Sequence, residues 1–478
     1  MPLRSNARRP VARRTPNVSR FPFPVSRFQM RLSRLFGGGK PDEPQQPEEP
    51  EQPDAEAVAD DGAGDGEAYE GVPEGDSDGD LDQQWRGRAA DVIPGGASTG
   101  SKRPAALYGE GTAFGPTHYT RASGCHITTA GGHTLIDCTM ALGSVAIGYG
   151  DETITRAVLT AAALGNVCGL SHTSEVDIAD RLCDIIPCAE QVRFLKSGAE
   201  AVSAAVRIAR AYTGKSTIVG SGYFGWHDWA NDGRGIPASA RSDTLRVPFD
   251  DVAALERACQ RAGADLAAIL LEPVVEKLPS NEWLEAARRL CDAQGAVLVF
   301  DEMKTGFRLR PGGFQEYGSF EPDLAAFGKA MANGFPIAAV VGRAAVMEAA
   351  ADTWISSTLA GETTALAAVA GVLEWHDKTE VCDTLWRTGE EMMGAITRAI
   401  AASGAEGVSI EGIAPMWFLR FDTPERESRF LELALEQDVL FKRGAYNYAA
   451  IAHDEQTLID IEHAASSALV QLVEETHR

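Results

Sequence analysis

Ala296-Val297-Leu298-Val299-Phe300-Asp301, followed by Glu302-Met303-Lys304-Thr305-Gly306-Phe307-Arg308, is the stretch that decides how this chain folds. Five apolar residues closing on a carboxylate predict a buried parallel strand with Asp301 at its C-terminal tip. Downstream, Pro322-Asp323-Leu324-Ala325-Ala326-Phe327-Gly328 leads into Lys329, which is followed by Ala330, Met331 and Ala332. A lysine among small apolar residues loses water, and its amine is thereby freed to attack a carbonyl. Upstream, Leu270-Leu271-Glu272-Pro273-Val274 closes a second apolar run on a carboxylate. Strand ends of this kind face the crevice where open α/β sheets bind ligands.

Further upstream, Val192-Arg193-Phe194-Leu195 reads as a strand and Ser197-Gly198-Ala199 as a turn. A helix follows from Glu200 to Tyr212, with a stop at Thr213-Gly214. Such a turn offers a hydroxyl and free N–H groups to a phosphate, aided by the helix dipole. Tyr223-Phe224-Gly225-Trp226-His227-Asp228-Trp229 gathers aromatics able to cover a flat ring. Each signal has a plain alternative: a surface charge, an ordinary helix cap, an aromatic core cluster. Their combination is what counts. An amine and a carboxylate are the two protein groups that pyridoxal 5′-phosphate (PLP) chemistry needs most.

With Phe194-Leu195-Lys196-Ser197-Gly198-Ala199-Glu200-Ala201, Gly222 to His227, Glu272-Pro273, Phe300 to Arg308, Phe327-Gly328-Lys329 and Ser357 to Thr363 in this order, the chain resembles the class III aminotransferases. These are fold-type I PLP enzymes, and the branch is the one that includes glutamate-1-semialdehyde 2,1-aminomutase. The resemblance runs from about Ile93 to Val473. It implies an α/β fold: a large domain with a mostly parallel, seven-stranded sheet wrapped by helices, and a small α+β domain built from N- and C-terminal segments. It also implies that Lys329 holds PLP covalently and shuttles a proton, and that Asp301 pairs with the pyridine N–H. Ser197, Gly198 and Ala199 would hold the phosphate, Tyr223 would stack on the ring, and Met303 would pack on its other face. Glu272 would sit near the ring hydroxyl. Thr358 would reach the phosphate of a neighbouring subunit, in a homodimer with shared active sites.

The departures from the aminomutase pattern fall on the substrate side. The chain reads Ser101-Lys102-Arg103-Pro104 where that enzyme carries an arginine loop, as in relatives tied to surface polysaccharide and secondary metabolite pathways. Phe224 stands where a histidine is expected, and Gly361-Glu362-Thr363 where Gly-Asn-Pro is usual. Transfer of an amino group from a small-molecule donor to an oxo or aldehyde acceptor is therefore the expected reaction. An intramolecular aminomutase is the alternative, and a non-catalytic scaffold relative the third reading. Lys102, Arg103, Ser171 and Arg443 are the candidate substrate residues, and Met140 to Ser144 falls where the family lines its pocket. His172 and His227 lack a second ligand at metal spacing, so no metal site is expected.

The hydrophobic fraction of 44% over 478 residues suits a globular enzyme with a large core. No apolar run approaches the roughly 20 residues of a membrane span, and a net charge of −24 argues against nucleic acid as a partner. The eight cysteines are scattered without a Cys-x-x-Cys pair, which fits free thiols in a reducing compartment. A cytoplasmic enzyme is expected. Up to Lys40, however, there are nine arginines and no acid, and that leaves organelle import as an alternative. Residues 1–40 are expected to form a basic extension and 41–85 an acidic, Pro/Gly-rich linker, both disordered. The remaining boundaries expected are 86–165 for the N-terminal part of the small domain, 166–365 for the large domain and 366–478 for the C-terminal part.

Overall fold

The computed structural model describes residues 80–476. The expected basic extension and almost all of the acidic linker lie outside the described residues. The end of that linker is corrected by the structure: a helix begins at Leu81 (Leu81–Val92), capped by the Asp80 carboxylate, which accepts from the Asp82 and Gln83 N–H groups. Asp82 is buried, and its carboxylate accepts from Thr129 Oγ1 (2.9 Å) and Gly131 N (3.0 Å). Capping and these two long-range bonds outweigh the polar composition that pointed to disorder.

In chain order the strands are β1 (Tyr119–Ser123), β2 (His126–Thr129), β3 (Thr134–Asp137), β4 (Gln191–Leu195), β5 (Thr217–Ser221), β6 (Thr244–Arg246), β7 (Leu266–Leu271), β8 (Val297–Asp301), β9 (Leu324–Phe327), β10 (Ala338–Gly342), β11 (Val408–Ile413), β12 (Met416–Phe421), β13 (Val439–Leu440) and β14 (Asn447–Tyr448). The large sheet runs β4-β10-β9-β8-β7-β5-β6. β10 is antiparallel to β4 and β9, while the other neighbours pair in parallel. Helices cover both faces of such a sheet, so β7, β8, β9 and β10 are buried at every position. Each fully buried Leu, Ile or Phe contributes about 1.5–3 kcal/mol.

Three strands carry little sequence signal. β1 and β6 are edge strands with polar, exposed positions. β9 is a short Leu-Ala-Ala-Phe segment with too little branched or aromatic content to announce itself. β2 and β3 form an antiparallel hairpin, and β3 pairs in parallel with β13, so early and late segments share one sheet.

Several polar side chains lock these layers together. Arg308 is fully buried, and its guanidinium donates to four backbone carbonyls. They belong to Gly143 (3.0 Å), Val145 (3.5 Å), Pro415 (3.4 Å) and Ala449 (2.9 Å). The same guanidinium stacks 4.8 Å over the Tyr448 ring. It anchors a strained turn: Met140, Ala141 and Leu142 have φ of 42°, 50° and 59°, a left-handed path that costs roughly 1–2 kcal/mol per residue. Asn333 accepts from the Ala146 and Ile147 N–H groups (3.0 Å each) and donates to the Gly148 carbonyl (2.8 Å). At the N-terminal end of β9, Asp323 accepts from Arg343 (2.8 Å), Arg288 (2.9 Å) and the Leu298 N–H (2.8 Å). Among the described residues no helix is long and apolar enough to cross a membrane.

Candidate active site

A cavity of about 460 Å³ brings together Ser197, Gly198, Ala199, Tyr223, Glu272, Asp301, Met303 and Lys329. The strand ends deliver them. Asp301 ends β8, Glu272 follows β7, Ser197 follows β4 and opens the helix Gly198–Thr213, and Lys329 follows β9. Parallel strands put these tips on one edge of the sheet.

Asp301 is buried, and its Oδ1 accepts from the Met303 N–H at 3.0 Å. Burial raises its carboxyl to about 7, helped by the nearby Glu272 charge and opposed by the Met303 N–H, Lys329 and Lys304. Lys329 is partly buried, with φ of 47°. Exclusion of water lowers its amine to about 8, and Lys304 pushes the same way, whereas Glu272 and Asp301 pull it back up. An amine in that range supplies a neutral nucleophile and base near physiological pH.

Met303 is wedged between two glycines. A Cβ on Gly198 would lie 2.9 Å from its Sδ, and one on Gly328 would lie 2.8 Å away. Close approach therefore demands glycine on both sides, and a larger residue at either place would push Met303 into the cavity. Ser197 caps the helix in a capping box: its Oγ accepts from the Glu200 N–H (3.3 Å), and Glu200 Oε2 accepts from the Ser197 N–H (2.9 Å). Gly198 and Ala199 open the helix, and first-turn N–H groups lack intrahelical partners. The donor set thus fits a flat cationic heterocycle carrying a phosphate. It offers a carboxylate for the ring, an amine for a carbonyl, and a helix N-terminus for the anion.

The sequence reading missed Lys304 and Lys196, which line the same cavity. Lys304 Nζ lies 2.6 Å from Glu272 Oε1 and 4.3 Å over the Tyr446 ring. Burial alone would lower this amine, but Glu272, with Tyr446 and Tyr448, outweighs it and holds the ammonium above its usual range. Lys196 Nζ lies 2.8 Å from Glu362, the residue that departs from Gly-Asn-Pro. Glu362 also caps the helix Thr363–Lys378. The signal for both lysines was adjacency: one is three residues past Asp301, the other just before Ser197.

Other expected residues lie elsewhere. Ser171 and Thr358 line a separate cavity of about 390 Å³ with Val167, Leu170 and Gly361. Lys102 and Arg103 are exposed around a short turn, and Arg443 Nε faces Glu427 at 3.7 Å. Of Met140 to Ser144, only Ser144 lines the Lys329 cavity. His172 caps the helix Thr173–Ile185, and His227 bonds Ser203 Oγ at 2.7 Å. Among the described residues no group of three or more His, Cys, Asp or Glu side chains could hold a metal ion.

The fold and this cavity define a fold-type I, PLP-dependent enzyme. The chain belongs to the class III aminotransferase family: the family model described as aminotransferase class-III matches residues 109–224 and 235–449. The chain is 34% identical over 377 residues to a glutamate-1-semialdehyde 2,1-aminomutase of Methanothermobacter thermautotrophicus, covering 74% of this chain and 86% of that protein. A 3-aminobutyryl-CoA aminotransferase of Cloacimonas acidaminovorans is 28% identical over 399 residues, covering 80% and 95%. Among solved structures, the PLP internal aldimine form of a Sphingopyxis FumI protein matches with a TM-score of 0.79 and 26% identity, over 84% of this chain and 98% of that one.

Proposed function

We propose that this enzyme transfers an amino group between two small molecules, with Lys329 and Asp301 as its catalytic residues. The observation that carries the reading is one cavity holding a lowered amine and a buried carboxylate. Bound PLP supplies an electron sink that stabilises negative charge on a substrate α-carbon. Lys329 Nζ takes that carbon's proton and returns it to a different atom. Asp301 would hold the ring nitrogen and keep it protonated. Ser197, Gly198 and Ala199 would take the phosphate, Tyr223 and Met303 would flank the ring, and Glu272 with its partner Lys304 would border the ring hydroxyl. The residues 86–165 and 366–478 form one small domain around the large domain 166–365, which supplies these groups.

A homodimer completes the site in this reading. Val167 and Leu170, 50% and 82% exposed, line the cavity that holds Ser171 and Thr358, and Trp354 and Leu359 beside it are 89% and 49% exposed. Apolar surface of this kind is normally covered by a partner, and a second copy would bring Thr358 to its neighbour's phosphate. All eight cysteines are free, which supports a reducing, cytoplasmic setting. The likeness to an aminomutase favours isomerisation within one substrate as a second reading.

Two measurements test the function. Borohydride treatment of the PLP-loaded protein, followed by peptide mapping, should place the reduced cofactor on Lys329; another lysine there would refute the assignment. Incubation with single amino acids should convert the cofactor to its aminated form if the amino group leaves the donor. Product formation with no donor present would instead support the aminomutase.

A further inference from the structure

A cavity of about 530 Å³ opens beside the edge strand β6, and Arg241, Arg246, Arg257 and Arg261 stand among the residues that line it. Arg241 ends the turn Ala238–Arg241, Arg246 ends β6, and Arg257 and Arg261 lie one turn apart on the helix Val252–Ala262. Ser242 and Thr244 add hydroxyls, and the lining contains no carboxylate. Like charges at this helical spacing repel each other.

The surroundings compensate that charge only in part: Asp232 and Glu272 lie near enough to act on Arg246. The chain carries a net charge of −24, and other arginines find carboxylates readily, among them Arg288, Arg343, Arg398 and Arg429. Here Glu256, the neighbour of Arg257, turns to Arg289 at 2.7 Å instead. Arg241 has Asp232 at 3.8 Å, but those side chains are 43% and 84% exposed, a pair worth little. Arg246 places its guanidinium 4.7 Å over the Phe224 ring. Thr244 Oγ1 is buried without a hydrogen-bond partner.

We propose that this cavity binds a small molecule carrying two or more phosphate groups, gripped by Arg241, Arg246, Arg257 and Arg261. A planar guanidinium meets phosphate oxygens through paired N–H donors, and the strong, multidentate contact suits a ligand with several anionic oxygens. The volume lies in the range of small-molecule sites. Phe224 is the wall between the two cavities: its ring lines the Lys329 cavity and carries Arg246 on top. The phosphates are therefore held one side chain away from the reaction, separate from the phosphate cradle at Ser197.

The probe is inorganic pyrophosphate, titrated calorimetrically into the PLP-loaded full chain so that the cofactor's own cradle is filled. Pyrophosphate should bind at least about tenfold more tightly than orthophosphate, and less tightly as salt rises. The double variant Arg257→Gln/Arg261→Gln, both on an exposed helical face, should lose at least about tenfold in affinity with the cofactor spectrum unchanged. Arg387→Gln/Arg398→Gln removes the same charge elsewhere and should bind like the parent. Arg241→Gln is the fallback if the first double variant fails to fold, and it should weaken binding too. No saturable binding by the parent, or equal losses in both double variants, would overturn the proposal. Lys329→Ala should still bind pyrophosphate, so a failed reading of Lys329 would not be mistaken for a failure here.

Discussion

Two buried aspartates at opposite ends of the large sheet show how the same side chain can be set up for structure or for chemistry. Asp323, at the N-terminal end of β9, is surrounded by Arg343, Arg288 and the Leu298 N–H. Asp301, at the C-terminal end of β8, has the Met303 N–H and a second acid, Glu272, nearby, and its proton affinity rises to about 7. The first site neutralises its charge within the protein. The second leaves its charge for something else to neutralise, and a protonated ring nitrogen meets that need.

This contrast can be broken at several points. Lys329→Ala should have the largest effect, lowering turnover by about 10⁴-fold, the upper end of general-base contributions, with the melting temperature of the cofactor-free protein preserved or raised. Asp301→Asn should cost about 10²- to 10³-fold in turnover, as removal of one preorganised electrostatic partner does, again without loss of fold. Asp323→Ala should do the reverse. Losing a carboxylate that neutralises two arginines should destabilise the protein by about 3 kcal/mol in urea titrations, the low end for a broken buried pair because Arg343 stays half in water. Activity per folded molecule should be unchanged.

The pH dependence sharpens the same point. An unfolded aspartate titrates near 3.8, and folded Asp301 near 7, so between these values the folded cofactor-free chain binds more protons. Its stability must then fall as pH rises from about 4 to about 7. Glu302, buried and raised to about 7, acts in the same direction. Comparing urea midpoints at pH 5 and pH 8, Asp301→Asn should flatten this slope by on the order of 2 kcal/mol, while the Glu302 share persists. Ser197→Ala should be mildest, costing about 1 kcal/mol as a lost helix cap together with some affinity for PLP.

Much of the sheet and of the cofactor side was legible because each element announces itself locally. Val297 to Asp301 and Leu266 to Leu271 are unbroken apolar runs, since strands covered on both faces have no polar side to show. Ser197 marks the start of its helix for the same local reason. Lys304 and Lys196 stayed hidden because their meaning lies in partners far away in sequence, Glu272 and Glu362. The left-handed turn at Met140 to Leu142 was equally silent, as no glycine occupies those positions to advertise it. The candidate substrate residues Lys102, Arg103 and Arg443 depend on loop geometry, and none lines the Lys329 cavity.

Arg308 carries a consequence for biosynthesis. Its guanidinium emerges from the ribosome long before Ala449, whose carbonyl is among its acceptors. Until that acceptor arrives the cation has an incomplete set of partners and a cost to enter the interior. Nascent chains that stop short of Ala449 should therefore leave the Gly143 and Val145 carbonyls loosely held and stay sensitive to proteases. Closure of the early layers would then report whether translation has passed Ala449.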